Sequence, residues 1–289
     1  MSDSARPQEI RLNKAIADSG YCARRKADAL IAGGKVQVNG QTVTELGTKV
    51  NLDTDRITIL GQPLPKAEKF YLLLHKPTGY VTSRKAGRTQ KSIYELLPEQ
   101  YRAADPAGRL DQDSSGALIL SSDGDFLYQI THPRFHVPKL YEITVNKPLQ
   151  PADIQTLQSG VKLMPESKLA RMSKILPDSK NPLRYRVELI TGYNRQIRRT
   201  LAELGYLVKT LQRLSFGPIS LGKLPAGHVR QLTETEQAAL LSPPPEPQKR
   251  QHTAQNKNRQ VKNHDQDIRE RQTKGQTHKK GRPSTTKKT

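Results

Sequence analysis

The run Ser242-Pro243-Pro244-Pro245-Glu246-Pro247 sets the outer limit on what this chain can fold into. Proline fixes φ, lacks an amide donor and pushes the residue before it out of the helical region, so such a run ends regular structure. From Ser242 to Thr289 large apolar residues almost vanish, and 13 Lys plus Arg stand against 4 Asp plus Glu, a local net charge of +9. A segment of this kind cannot bury enough surface to offset its chain entropy. Residues 242-289 are therefore expected to be a disordered basic tail that tethers RNA, the alternative being a tail that only solubilises. The fold must come from what precedes, behind a flexible start over residues 1-8.

The 289 residues carry a formal net charge of +21, more than solubility needs, which points to a polyanionic partner. The one cysteine, Cys22, excludes an internal disulfide, and no residues of metal-ligand spacing surround it. The start Met-Ser-Asp-Ser-Ala-Arg-Pro-Gln-Glu has no apolar stretch of signal-peptide type, and no apolar run approaches the roughly 18 residues that a membrane span needs. The expectation is a soluble cytoplasmic protein without membrane association.

Residues 9-66 read as one small unit. Leu12, Ala15, Ile16 and Ser19 fall at helical spacing up to Gly20, and Ala23, Ala27, Leu30 and Ile31 form a second stripe before Gly33-Gly34. Val36-Gln37-Val38 then enters Asn39-Gly40, the strongest two-residue hairpin signal, and Thr42-Val43 leaves it. Arg11, Lys14, Arg24, Arg25 and Lys26 decorate the two helices, as a phosphate-contacting face or as a solvated one.

A second unit spans residues 70-241. Phe70 to His75 reads as an apolar strand entering Lys76-Pro77-Thr78-Gly79, Ser83 to Lys91 as a mobile basic loop, and Ile93 to Leu97 as a short helix. At its centre Gly108-Arg109-Leu110-Asp111 sets an Arg and an Asp in a turn bounded by Gly108 and Gly116, just before the strand Ala117 to Leu120. Asp111, Asp113, Ser115 and Gly116 also match the first half of a calcium loop. The bidentate Glu required at the twelfth position is Ser122, so no metal is expected. A plain Asp/Ser turn is the other bland reading.

Phe126, Leu127 and Ile130 mark a helix that His132-Pro133-Arg134-Phe135-His136 ends. The strand Lys139 to Val145 follows, with Tyr141, Ile143 and Val145 on one face, where periodicity alone makes Tyr141 a core residue. Tyr185 to Ile190 is another strand. Asn194 is then placed to cap a helix over Arg195 to Leu204, buried through Ile197, Leu201 and Leu204. Arg195, Arg198 and Arg199 crowd the start of that helix, where cations oppose its dipole, so an anion is expected to meet them. Strands close the unit between Val208 and Leu232.

Two resemblances follow from these residues. Arg11-Leu12-Asn13-Lys14, Cys22-Ala23-Arg24-Arg25-Lys26-Ala27-Asp28 and Gly34-Lys35-Val36-Gln37-Val38-Asn39-Gly40 resemble the small alpha-L RNA-binding domain. Gly108-Arg109-Leu110-Asp111, Lys139-Leu140-Tyr141 and Asn194-Arg195-Gln196-Ile197-Arg198-Arg199, in that order, resemble the bacterial ribosomal-RNA pseudouridine synthases of the small-subunit uridine family (the RsuA type) and its large-subunit relatives. Ala117 departs from the larger aliphatic residue usual there.

The resemblance implies an α+β fold: a pseudouridine synthase domain with a mixed, mainly antiparallel sheet and flanking helices, after the alpha-L domain. It implies isomerisation of uridine in ribosomal RNA, more on the large-subunit side, by a cofactor-free monomer acting on ribosomal RNA or an assembly intermediate. Asp111 takes the role of the carboxylate at the sugar, as nucleophile or as base, and Arg198 that of the partner holding it charged. Tyr141 packs on the flipped base, Arg109 fills the vacated space, and Leu189 or Ile190 walls the pocket. Asn194, Arg195 and Arg199 join Arg109 in binding RNA. The rivals are a non-catalytic ribosome-assembly factor on the same fold, and glycoside cleavage by Asp111 with Asp113. Residues two apart on an extended segment are poorly placed for that pair.

Overall fold

The computed structural model describes residues 9–65 and 68–242. The expected flexible start and the basic tail after Ser242 lie outside the described residues. In the first unit, helices α1 (Leu12–Asp18) and α2 (Arg24–Ala32) bring Leu12, Ala15 and Ile16 into one core with Ala27 and Ile31. Strands β1 (Val36–Val38) and β2 (Gln41–Val43) form the expected hairpin, with Asn39 and Gly40 at φ 53° and 82°, the left-handed values that its tight turn demands. Strands β3 (Ile57–Ile59) and β4 (Gln62–Pro63) extend this sheet from the other side of β1, and Val36, Ile57 and Ile59 close the core beneath the helices.

The second unit is built on a nine-stranded sheet. Its main strands are β5 (Tyr71–Lys76), β6 (Ser115–Ser121), β7 (Lys139–Val145), β8 (Lys174–Pro177), β9 (Arg184–Leu189), β10 (Val208–Phe216) and β11 (Val229–Gln231). They lie in the order β8-β9-β7-β10-β6-β5-β11. Every pairing along this path is antiparallel except β6 with β10, which is parallel and short, joining Ser115 to Gln212 and Gly116 to Arg213. The sheet is thus mixed and mainly antiparallel, as expected.

Helices flank it. Ala117 and Ile119 of β6 pack with Phe126 and Ile130 of α3 (Gly124–Thr131), while Leu118 and Leu120 point into a second cluster with Leu72, Leu74 and Ile93. Burial on both faces is why β6 reads as an unbroken apolar run rather than an alternating one. On the far half of the sheet, Ile143, Val145 and Val187 pack against Leu157 of α4 (Pro151–Ser159) and against Ile197 and Leu201 of α5 (Gln196–Ala202).

Where β6 meets β10, Gly116 is indispensable. Its φ is 115°, and a Cβ there would stand 2.2 Å from the carbonyl oxygen of Arg213. The glycine read as a turn boundary is a point of backbone approach inside the sheet.

Three expectations are corrected. The helix expected over Arg195 to Leu204 is shorter, and its cap is Arg195 in the left-handed region at φ 46°, not Asn194, which lies one residue earlier. The strand expected over Ala117 to Leu120 extends to seven residues, because pairing with β5 continues to Gly116 and Ser121. The basic loop from Ser83 is anchored: Arg84 donates to the carbonyls of Arg102, Ala103 and Ala104 at 2.7 to 2.9 Å and lies over the ring of Tyr94.

Candidate active site

The turn before β6 is held from below. Lys76 ends β5 fully buried, and its ammonium donates to the carbonyls of Pro77 at 3.0 Å, Asp111 at 2.9 Å and Ser114 at 2.7 Å. Burial pulls this lysine down to about 8, against the Asp111 and Asp113 carboxylates, which favour its charge. The backbone of the Asp111 turn is thereby fixed by a side chain from the neighbouring strand, while the Asp111 carboxylate stays partly exposed at the cleft.

The ion pairs around the turn differ from expectation. Arg198 does not hold Asp111. Its Nη2 donates to the Asp113 carbonyl at 2.9 Å, its Nη1 to the Val208 carbonyl at 2.8 Å, and its Nε lies 3.1 Å from the Asp113 carboxylate, out of line for a hydrogen bond. Arg195 makes a bidentate pair with Asp113 at 3.1 and 2.9 Å and reaches Asp111 only at 3.7 Å. The Arg195 bonds, with the charge of Arg198, hold the Asp113 carboxyl below the usual carboxylate range.

Arg199 turns away to a bidentate pair with Glu166 and to the Met164 carbonyl. The anions that meet the three arginines are thus supplied by the chain itself, which answers the electrostatic conflict at the start of α5 without an external phosphate. Asp113, engaged with two arginines, is not a second carboxylate facing Asp111 across a substrate.

A cavity of about 520 Å³ opens beside the turn, within the size range of small-molecule sites. Arg109, Asp111, Tyr141, Leu189, Ile190, Asn194 and Arg195 all line it; Arg198 and Arg199 do not. Tyr141 packs between two core clusters, as its periodicity predicts, and also borders the cavity. Arg109 is exposed at the cavity and makes no ion pair or side-chain hydrogen bond among the described residues. Three cations that sequence reasoning did not single out also line it: Lys168, exposed and over the ring of Tyr193; Lys139, pulled down to about 8 by burial and by repulsion from Arg213; and Arg213 itself, on β10. Arg213 sits two residues after Leu211 on a strand whose buried positions otherwise read as apolar; no pattern in the sequence marks it.

In the first unit, Arg11, Arg24, Arg25 and Lys26 are exposed. Lys14 is not free as expected. It pairs with Asp18 and, across the unit boundary, with Asp125 at 2.8 Å, because the start of α3 lies against α1.

Residues 70–203 match the family model described as RNA pseudouridylate synthase, and residues 10–57 match the S4 domain. An uncharacterized RNA pseudouridine synthase of Aquifex aeolicus (strain VF5) is 36% identical over 243 residues, covering 81% of this chain and 94% of that protein. The chain belongs to the RNA pseudouridine synthase family. The synthase is also 35% identical to ribosomal large subunit pseudouridine synthase B of Bacillus subtilis (strain 168), over 78% of this chain and 93% of that one. It is 35% identical to the dual-specificity RNA pseudouridine synthase RluF of Escherichia coli (strain K12), over 78% and 77%. Its fold is similar to a solved pseudouridylate synthase, with a TM-score of 0.59, 28% identity, and coverage of 80% of this chain and 99% of that one.

The synthase is therefore an RNA-modifying isomerase, and the non-catalytic alternative falls away. No helix among the described residues of the synthase is long and apolar enough to cross a membrane.

Proposed function

We propose that this enzyme converts uridine to pseudouridine in ribosomal RNA, on the large subunit, with Asp111 as the carboxylate at the sugar. The observation that carries the reading is the joint placement of Asp111 and Tyr141 on one cavity, with the Asp111 turn pinned by buried Lys76. The large-subunit assignment is supported by the likeness to the Bacillus subtilis large-subunit enzyme across 93% of that protein's length.

A target uridine lies inside folded RNA and must be flipped out, at a cost of a few kcal/mol. Tyr141 offers the ring face against which the extruded base packs, worth about 1 to 3 kcal/mol. Arg109, exposed and without a partner at the cavity rim, is free to enter the space the base leaves. The cation that reaches the Asp111 carboxylate is Arg195, at 3.7 Å, rather than Arg198. Arg198 acts on the same turn through Asp113 and is a positioning residue. Asn194 and Arg195 border the RNA at the cavity. Arg11, Arg24, Arg25 and Lys26 give the S4 domain a basic face for structured RNA, with Lys14 joining them once its carboxylate partners are displaced.

The enzyme works as a cytoplasmic monomer on ribosomal RNA or an assembly intermediate. The test is Asp111→Asn. Pseudouridine formation in unmodified large-subunit ribosomal RNA should be abolished while RNA affinity stays within about twofold, since the substitution removes a reacting group and leaves the phosphate contacts. Undiminished conversion by the variant would refute the assignment.

A further inference from the structure

Arg213 is 3% exposed in the floor of the cleft. Its Nε donates to the Ala117 carbonyl at 2.6 Å, while its Nη2 is buried without a partner. A buried guanidinium with donors left unmatched is costly unless a ligand oxygen meets it. Lys139 lies over the same aromatic ring. Its Nζ is 5.2 Å from the Phe216 ring centre, the Arg213 guanidinium carbon is 5.4 Å from it, and the lysine's only side-chain hydrogen bond among the described residues is a long one of 3.4 Å to the Ile190 carbonyl. The two cations repel each other, and neither has a carboxylate partner among the described residues. Arg195, Arg198 and Arg199, nearer the surface, each have one. Arg109 and Lys168 also line the cavity without an ion pair, but both are exposed to solvent; the unmatched cations that are withdrawn from water are Arg213 and Lys139, at the bottom of the cavity.

We infer that Arg213 and Lys139 form the subsite that receives the uracil ring when it has left the sugar, donating to its carbonyl oxygens and holding its negative charge. The inference rests on the cleft being the place of reaction, as proposed above. In the isomerisation the bond from C1′ to N1 breaks and its electron pair stays on the ring, spread over N1, O2 and O4. The ring turns, C5 bonds to C1′, the proton on C5 leaves and N1 gains one, so atoms and charge balance. Between those events the ring is an anion detached from the RNA. Donors fixed in place before that charge develops stabilise it most effectively.

A phosphate is the other oxygen anion available, but phosphates stay on the strand, at the rim where Arg109 is exposed. The walls around the two cations, Tyr141, Leu189 and Phe216, suit a planar ring.

The test uses the full chain on unmodified transcripts of both ribosomal subunits, reading single-turnover loss of label from uridine C5 together with RNA affinity at several salt concentrations. Arg213→Gln should slow conversion at saturating enzyme by roughly 100-fold or more, the loss typical when one donor to a developing anion is removed. Lys139→Met should slow it by roughly 30-fold, and Lys139→Arg should recover most of that loss, with affinity within about twofold throughout.

Unchanged rates would overturn the inference. So would a loss carried by affinity with a shallower salt dependence, which marks a phosphate site, or a Lys139→Arg rate no better than Lys139→Met, which marks packing. The two Lys139 variants keep the test valid if Arg213→Gln does not fold. Asp111→Asn run alongside separates the failures: if it stays active the cleft reading fails, and if it is inactive while both Lys139 variants match the parent, only this inference fails.

Discussion

The Lys76 ammonium holds the main-chain carbonyl of Asp111 at 2.9 Å while the Asp111 side chain remains open to the cleft. Main chain and side chain of the one residue are thus handled separately: a buried cation fixes the backbone, and the carboxylate faces the cavity. Replacing Lys76 by Met takes a donor from three carbonyls, of which that of Asp111 keeps the Ser114 amide at 3.1 Å; the change should cost about 2 to 3 kcal/mol and lower the rate more than the RNA affinity. The sign of the pH effect follows from the lysine's depressed value of about 8. Between about 8 and the ordinary lysine value the unfolded chain binds more protons, so the stability of the parent relative to Lys76→Met should rise across that window. Urea unfolding of both proteins at several pH values reads this directly.

Gly116→Ala should be among the most damaging single-methyl changes available. The added carbon would overlap the Arg213 backbone, at 2.2 Å from its oxygen, and the residue would be held at φ 115°. A loss of about 4 kcal/mol or more is expected, as little soluble protein or a large drop in melting temperature. A variant that melts with the parent would show that β6 and β10 separate easily.

Asp113→Asn removes the ion pairs of Arg195 and Arg198 with this carboxylate, while Arg198 keeps its bonds to the main-chain carbonyls of Asp113 and Val208. Both ion pairs are partly exposed, so stability should fall by only about 1 kcal/mol or less, while conversion falls about tenfold as Arg195 loses its bidentate tie to the turn. Because arginine bonds hold the Asp113 carboxyl low, its contribution is complete above the ordinary aspartate value and disappears as pH falls through the lower folded value. Parent and variant should therefore converge in stability toward acid, measured by denaturant titration from pH 6 downward.

Removing the residues after Ser242 should weaken RNA binding and reduce its dependence on salt without altering conversion at saturating RNA. The removed segment carries a net charge of +9, and each phosphate no longer neutralised lowers the slope of log affinity against log salt by about 0.7 to 0.9. An unaltered slope would count against a tethering role.

The parts of this enzyme that were legible in its sequence are those where local chemistry and fold agree. Asn39-Gly40 dictates its hairpin whatever surrounds it, and the apolar run of β6 announces burial on both faces. Motif order put Asp111 and Tyr141 together, and both border one cavity. Pairing was not legible. Arg198 and Arg195 stand three apart on or beside one short helix, and which of them reaches Asp111 depends on a left-handed cap at Arg195 that shifts the start of α5. Lys14 likewise meets Asp125 only because two units pack, a contact 111 residues apart in the chain. Arg213 was hidden because a buried cation on a strand has no periodic signature. Thr233 and Glu236 form a capping box, a local signal in the sequence, at the start of the helix Glu234–Leu241.

The single parallel junction of the sheet also sets when activity can arise. The Asp111 turn leads into β6, whereas Arg213 arrives on β10, and Ala117 and Arg213 are 96 residues apart. A nascent chain that has extruded the carboxylate still lacks the floor of its cleft and the arginines of α5. On the reading of the cleft proposed above, the enzyme is inert toward the ribosome synthesising it until translation has passed Phe216, although its RNA-binding domain has emerged long before.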